Sequence, residues 1–208
     1  GRSVRDHLRE APAAELWSEE MRSLCGSLDL MICNLECSVS ERGERTRRIP
    51  GKPFFFRGPP AAAEALRAIG VRAVSLANNH ALDYEEEALA DTLELLAGSG
   101  VAVGGAGAGT EAARRPVVAQ AGGQRVGILC VADHPYEYAA GPRRYGIAHA
   151  ELQHGVPDWL LEELAQLSEK CDLMIVYPHW GPNMSTSPAS WQRRAAAALQ
   201  DAGASLVA

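Results

Sequence analysis

Apolar residues along this chain follow two periods, and their alternation predicts a layered α/β domain. Short, mostly apolar and partly β-branched runs at Asp29–Leu35, Val71–Leu76 and Asp172–Tyr177 read as buried strands. Helical spacing falls between them. Ala13–Leu24 sets Leu16, Trp17, Met21 and Leu24 on one face, and Ala61–Ile69 is closed by Gly70. A helix from about Tyr84 to Ala97 carries Leu89, Leu93 and Leu96, and two more cover Pro157–Ser168 and Ser190–Asp201. Val101–Val103 is a short strand. Pro116–Ala121 and Gln124–Ala132 form a hairpin about Gly122-Gly123, and Ala204–Val207 begins a last strand. Residues 1–12 are polar and show no readable period.

The connections add three features. Residues 40–52 hold five Arg or Lys together with Gly43, Pro50 and Gly51, which predicts a solvated, mobile loop. Gly104–Gly109 is glycine-rich, but it meets neither Gly-x-Gly-x-x-Gly nor a following Gly-Lys-Ser/Thr, so it is expected to be a flexible connection. Asp133–Ala150 is a long loop with Tyr136, Tyr138 and Tyr145; loops of that length are often functional. No repeat or low-complexity linker divides the chain, so residues 1–208 read as one domain.

Composition narrows the function classes. A net charge of -6 argues against a broad nucleic-acid surface. Five cysteines lie scattered, without a Cys-x-x-Cys pair, and read as small buried thiols rather than a disulfide framework or zinc site. That favours a reducing, cytoplasmic setting for this stretch. No apolar run has membrane length, and the bare Gly1 leaves a removed leader open.

Three of the strands end alike. Asp29–Leu35 delivers Glu36, Val71–Leu76 delivers Asn78, Asn79 and His80, and Asp172–Tyr177 delivers His179. Parallel strands gather their carboxyl ends at one edge, where ligands bind in open α/β sheets. Each residue alone has a plainer explanation: the Asn pair turns the chain and caps a helix, a strand-end Glu is solvated, and a His is hydrogen-bonded at the rim. Together a carboxylate, a carboxamide oxygen and imidazoles make an oxygen/nitrogen donor set suited to Mn, Fe, Zn or Mg.

These residues carry a resemblance. Asn34-Leu-Glu36, Lys52-Pro-Phe-Phe-Phe56 with Pro59, Ser75-Leu-Ala-Asn-Asn-His-Ala-Leu-Asp-Tyr84, Gly105-Ala-Gly107 with Glu111-Ala112 and Pro116, His179-Trp-Gly181 and Asp201–Val207 occur in that order. They resemble the CapA-like family of capsule and poly-γ-glutamate biosynthesis proteins, a branch of the calcineurin-like metallophosphoesterases. The resemblance implies a four-layer α/β/β/α sandwich with two divalent metal ions at the strand ends. By position, Glu36, Asn79 and His179 would be metal ligands, and His80 the acid beside the leaving group. Asp83 would orient His80 if the helix has begun there. Asn78, Trp180 and Asn183 would line the pocket, while Lys52 and Arg57 would attract an anionic small molecule or polymer.

The chain also departs from that pattern. The family's first motif, a strand ending in Gly-Asp, and its last, Gly-His-x-His, are not found between Gly1 and Ala208. The expectation is therefore a fragment of a longer protein that binds metal poorly by itself. Cys37 and Glu85 stand where the family usually has glycine, which bears on backbone freedom. Two functions follow: a metal-dependent hydrolase of phosphoesters or amide-type bonds, or a non-catalytic, polymer-binding component of capsule assembly. The second is motivated by the basic 40–57 segment. The resemblance leaves association with the cell envelope open.

Overall fold

The computed structural model describes residues 2–208. In chain order its elements are α1 (Arg2–Glu10), α2 (Glu19–Gly26), β1 (Met31–Asn34), β2 (Ser38–Val39), β3 (Arg57–Gly58), α3 (Ala61–Ala68), β4 (Val71–Ser75) and α4 (Glu85–Gly98). Then follow β5 (Ala102–Gly104), β6 (Ala106–Gly107), α5 (Thr110–Arg114), β7 (Val117–Ala121), β8 (Gln124–Ala132), β9 (Gly146–Ile147), α6 (Asp158–Ser168), β10 (Leu173–His179), α7 (Ser190–Asp201) and β11 (Leu206–Val207).

Two sheets position the site. The first has the order β1-β4-β5, all parallel, with Asn34 opposite Ser75 and Ser75 opposite Gly104. The second has the order β11-β10-β8-β7; β8, β10 and β11 run parallel, and β7 returns antiparallel through the two-glycine hairpin. Successive side chains of a strand point to opposite faces. On β8, Ile128 and Cys130 join the core shared with the first sheet, whereas Leu129 and Val131 join the core under α6 and α7. A strand buried on both faces reads as an unbroken apolar run, as Val126–Ala132 does apart from Gly127. The layers are α/β/β/α: Ala63, Leu89 and Leu96 of α3 and α4 close one side, and Leu160, Leu164 and Leu199 of α6 and α7 the other.

Several expectations need correction. The helix expected over Ala13–Leu24 is split. Ser18 accepts a hydrogen bond from the Met21 N–H at 3.2 Å and starts α2 afresh, leaving Ala13–Leu16 as a short 3-10 turn. A polar helix, α1, occupies residues that showed no period, and it buries Leu8. The glycine run is not a flexible connection, because β6 within it pairs with β9. Gly105, at φ +82, passes so close to the neighbouring chain that a Cβ there would lie 2.5 Å from Ala77 Cβ.

The 40–52 segment is pinned rather than mobile. The acidic first turn of α4 draws its arginines: Arg48 reaches Glu85 at 2.7 Å and Glu86 at 2.9 Å, and Arg42 pairs with Glu87 and Asp91. Exposed pairs of this kind contribute only about 0–1 kcal/mol each, but they act together with the buried Ser40 and Thr46. Among the described residues no helix is long and apolar enough to cross a membrane.

Helix α4 begins at Glu85, after Asp83, and Glu85 sits in the left-handed region at φ 63. The position where a glycine is usual therefore demands positive φ, whereas Cys37 is not among the positive-φ residues. A β-carbon in that region costs about 1–2 kcal/mol. Glu85→Gly is expected to be more stable than Glu85→Ala by about 1 kcal/mol, since both lose the Arg48 ion pair and only glycine relieves the backbone. Urea unfolding of the two variants checks this; equal midpoints contradict it.

Candidate functional site

The carboxyl ends of β1, β4, β8 and β10 meet where the two sheets face each other. His179 closes β10 and Asn79 follows β4, and the His179 Nε2 lies 3.0 Å from Asn79 Oδ1. On the other edge of the ring, Nδ1 stands 3.5 Å from both Glu36 Oε1 and Asn34 Nδ2. Asn34 also donates to Glu36 Oε1 at 3.1 Å. A cavity of about 70 Å³ lies behind, lined by Asn34, Ser75, Tyr177, Pro178 and His179. Burial holds the His179 imidazole below its ordinary value; Glu36 opposes that shift and His134 adds to it.

Beside this cluster the Asn78–Asp83 turn builds a second one around Asp83, which has no solvent exposure. His80 Nδ1 lies 2.7 Å from Asp83 Oδ2, which makes Nδ1 the protonated donor. The same oxygen accepts from the Phe56 N–H at 2.6 Å; Lys52 Nζ is 3.2 Å from Oδ1, and the Tyr138 hydroxyl donates to Oδ1 at 3.4 Å. The Phe56 ring stacks on His80 with centroids 4.2 Å apart. Asp83 reaches His80 across a turn, its N–H donating to the His80 carbonyl at 3.2 Å, and not across a helical turn as expected. Burial and the neighbouring Asp83 push the Tyr138 hydroxyl well above its ordinary value, so it stays a proton donor.

The remaining predicted residues fall outside these clusters or behind them. Asn78 is fully buried. Its amide donates to Asn34 Oδ1 and the Leu35 carbonyl at 3.0 and 2.9 Å, and its Oδ1 accepts from the His80 N–H at 2.9 Å. It shapes the turn and presents no surface to a substrate. The Arg57 guanidinium lies over the Tyr84 ring at 4.0 Å and donates to the Arg42 and Gly43 carbonyls. Trp180 packs edge-on against Trp191 beside the α6/α7 core, and Asn183 is exposed on the following loop.

Sequence reasoning missed Asn34, Asp133 and His134. Asp133 follows β8 as Glu36 and His179 mark the ends of β1 and β10. Its carboxylate accepts from the Gly181 N–H at 3.1 Å and from His134, whose ring centroid is 5.5 Å from that of His179. The signal was available: β8 is a fourth apolar run with a polar pair at its end, inside what read as a hairpin followed by a loop.

The whole chain, residues 1–208, matches the family described as bacterial capsule synthesis protein PGA_cap. The chain belongs to that family. It is 33% identical over 199 residues to a protein of Mycobacterium tuberculosis named probable polyglutamine synthesis accessory protein; the match covers 92% of this chain and 52% of that one. The PGA biosynthesis protein CapA of Bacillus subtilis is 26% identical over 158 residues, covering 75% of this chain and 40% of its own. The capsule biosynthesis protein CapA of Bacillus anthracis is 26% identical over 186 residues, covering 86% and 44%. The chain thus spans about half the length of the curated relatives it matches. A hypothetical protein from Thermus thermophilus, known from a crystal structure, aligns over 94% of this chain and 61% of its own, at 18% identity and a TM-score of 0.49.

The donors fit the two implied metal ions only in part. Asn79 Oδ1 meets His179 Nε2, and Glu36 Oε1 meets Nδ1 on the other edge of the ring, so each side pairs one oxygen donor with one ring nitrogen, a combination that hard or borderline ions accept. Among the described residues no three His, Cys, Asp or Glu side chains converge to hold a metal ion.

The depressed His179 sets a pH dependence. The unfolded imidazole takes up a proton below its ordinary value of 6.5 while the folded one resists. The contribution to stability is present above 6.5 and is lost as pH falls through the lower folded value. Denaturant unfolding in chelator at about pH 7.5 and about pH 5.5, either side of that ordinary value, is expected to show a smaller acid-induced loss for His179→Gln than for wild type. Equal losses contradict it.

Proposed function

We propose that this chain carries part of the hydrolytic centre of a capsule or poly-γ-glutamate synthesis protein, acting on an anionic phosphoester or amide-type bond. Family membership and the names of the relatives support the capsule setting. The observation that carries the chemistry is the His80–Asp83 pair standing beside the Glu36, Asn79 and His179 cluster.

Each residue then has a distinct role. Asn79 and His179 would hold a divalent cation, with Glu36 a further oxygen donor at the Nδ1 edge of the ring, and the bound ion would offer Lewis acidity to an anionic substrate. Asp83 holds the proton on His80 Nδ1, so Nε2 is the nitrogen left to exchange protons: it would take one up to form the imidazolium, whose charge Asp83 offsets, and then pass that proton to a leaving group. The Phe56 ring covers one face of that imidazole and keeps water from it. Burial keeps His179 neutral near pH 7, the form in which an imidazole is a ligand.

The second reading is a non-catalytic accessory role in polymer assembly. The word "accessory" in the name of the mycobacterial relative favours it. The basic loop that first suggested polymer binding supports it less, because Arg42, Arg48 and Arg57 have partners within the fold.

The test is hydrolysis of a phosphomonoester and of a γ-glutamyl amide with Mn2+ and after chelation, in this chain and in the protein with its native flanking sequence. General acid catalysis typically contributes about 10²–10⁴-fold. His80→Ala is expected to lose that much of a metal-dependent rate. Hydrolysis at the wild-type rate in His80→Ala sinks the catalytic assignment, and polymer binding that survives chelation and loss of Glu36, Asn79, His80 and His179 favours the accessory role.

A further inference from the structure

We propose that Lys52 is a positioning residue whose buried ammonium holds the Asn79–His80 turn in its working geometry. The role rests on the hydrolytic reading of the site. The sequence alone suggested that Lys52 attracts an anionic substrate, and its surroundings argue otherwise. The side chain is only 7% exposed. Nζ donates to the Asn79 carbonyl at 2.5 Å, lies 3.2 Å from Asp83 Oδ1, and stands 5.5 Å from the centroid of the Tyr138 ring. A buried ammonium persists only when it is paired and hydrogen-bonded. Here its partners all lie inside the protein, so its charge is already answered and does not face a ligand.

The identity of those partners gives the role. The Asn79 carbonyl belongs to the residue whose Oδ1 faces His179 at 3.0 Å. Asp83 is the carboxylate that orients His80. One cation therefore fixes the main chain immediately before His80 and also the group that sets the His80 ring. The same strap continues to Phe56, whose N–H donates to Asp83 and whose ring stacks on His80. A neutral side chain of similar length would fill the space but take the Lys52 donor from the Asn79 carbonyl and leave Asp83 Oδ1 with the long Tyr138 contact alone. Asn79 and Asp83 would then move independently.

The measurement is nitrogen-15 NMR of the full chain, following the Asn79 side-chain amide and the His80 Nδ1–H. In Lys52→Met both signals are expected to shift or vanish through exchange, while resonances of β8 and β10 remain in place. Wild-type signals at both sites in Lys52→Met overturn the proposal. If the single variant fails to fold because Asp83 is left buried and unpaired, Lys52→Met with Asp83→Asn removes the charge pair as a unit. A folded double variant with a displaced Asn79 amide is the expected result, and an unmoved Asn79 amide overturns the proposal. A wild-type protein that shows both signals yet hydrolyses neither ester nor amide contradicts the hydrolytic reading and leaves the positioning role standing.

Discussion

A carboxylate removed from water must be answered by donors, and Asp83 is answered from three separate stretches of chain. Isolated burial of such a charge costs many kcal/mol, so the group is tolerated only where hydrogen bonds and opposite charge surround it. The Phe56 N–H, His80 Nδ1, Lys52 Nζ and the Tyr138 hydroxyl all converge on its two oxygens. Residues 52–56, the turn after β4 and the loop after β8 are thereby drawn to one point. The Asp83 carbonyl adds a fourth stretch by accepting from the Thr46 N–H at 2.9 Å. A loop that reads as irregular along the chain is fixed because its polar groups have one buried place to go.

The sandwich provides the other half of the constraint. Because β8 and β10 pair in register up to Ala132 and His179, and β1 and β4, after an irregularity at Met31/Ile32, up to Asn34 and Ser75, both sheets release their chains at the same end. Asn34, Glu36, Asn79, His179 and the Asp133–His134 pair thus meet at that end. The two hydrogen-bonded clusters show how the parts of this constellation are held. The clusters divide the work physically. One offers donor atoms at partial exposure, with the Glu36 side chain 42% exposed, and the other fixes an imidazole away from solvent.

Much of this was legible in the sequence. Strands read as apolar runs because they are buried on both faces, and the strand ends stood out because polar residues interrupt those runs abruptly. The α/β/β/α arrangement also agrees with the family resemblance. What was not legible depends on pairing distant in sequence. Lys52 and Arg57 looked like free cations, yet Asp83 and Tyr84, far onward in the chain, engage them. The 40–52 loop looked mobile because its complement, the acidic start of α4, lies in another element. The glycines at 104–109 looked flexible because sequence does not reveal that Ala77 and Cys130 crowd Gly105. Asn78 looked available because nothing local shows its amide turned inward to Asn34 and Leu35.

The central claim is that Asp83 couples these stretches into one unit. Hydrogen exchange by mass spectrometry on wild type and Asp83→Ala tests it most directly. The account predicts that residues 44–58, 78–84 and 136–140 lose protection together, while β8 and β10 keep theirs. Loss confined to 78–84, with the other two segments as protected as in wild type, would contradict it.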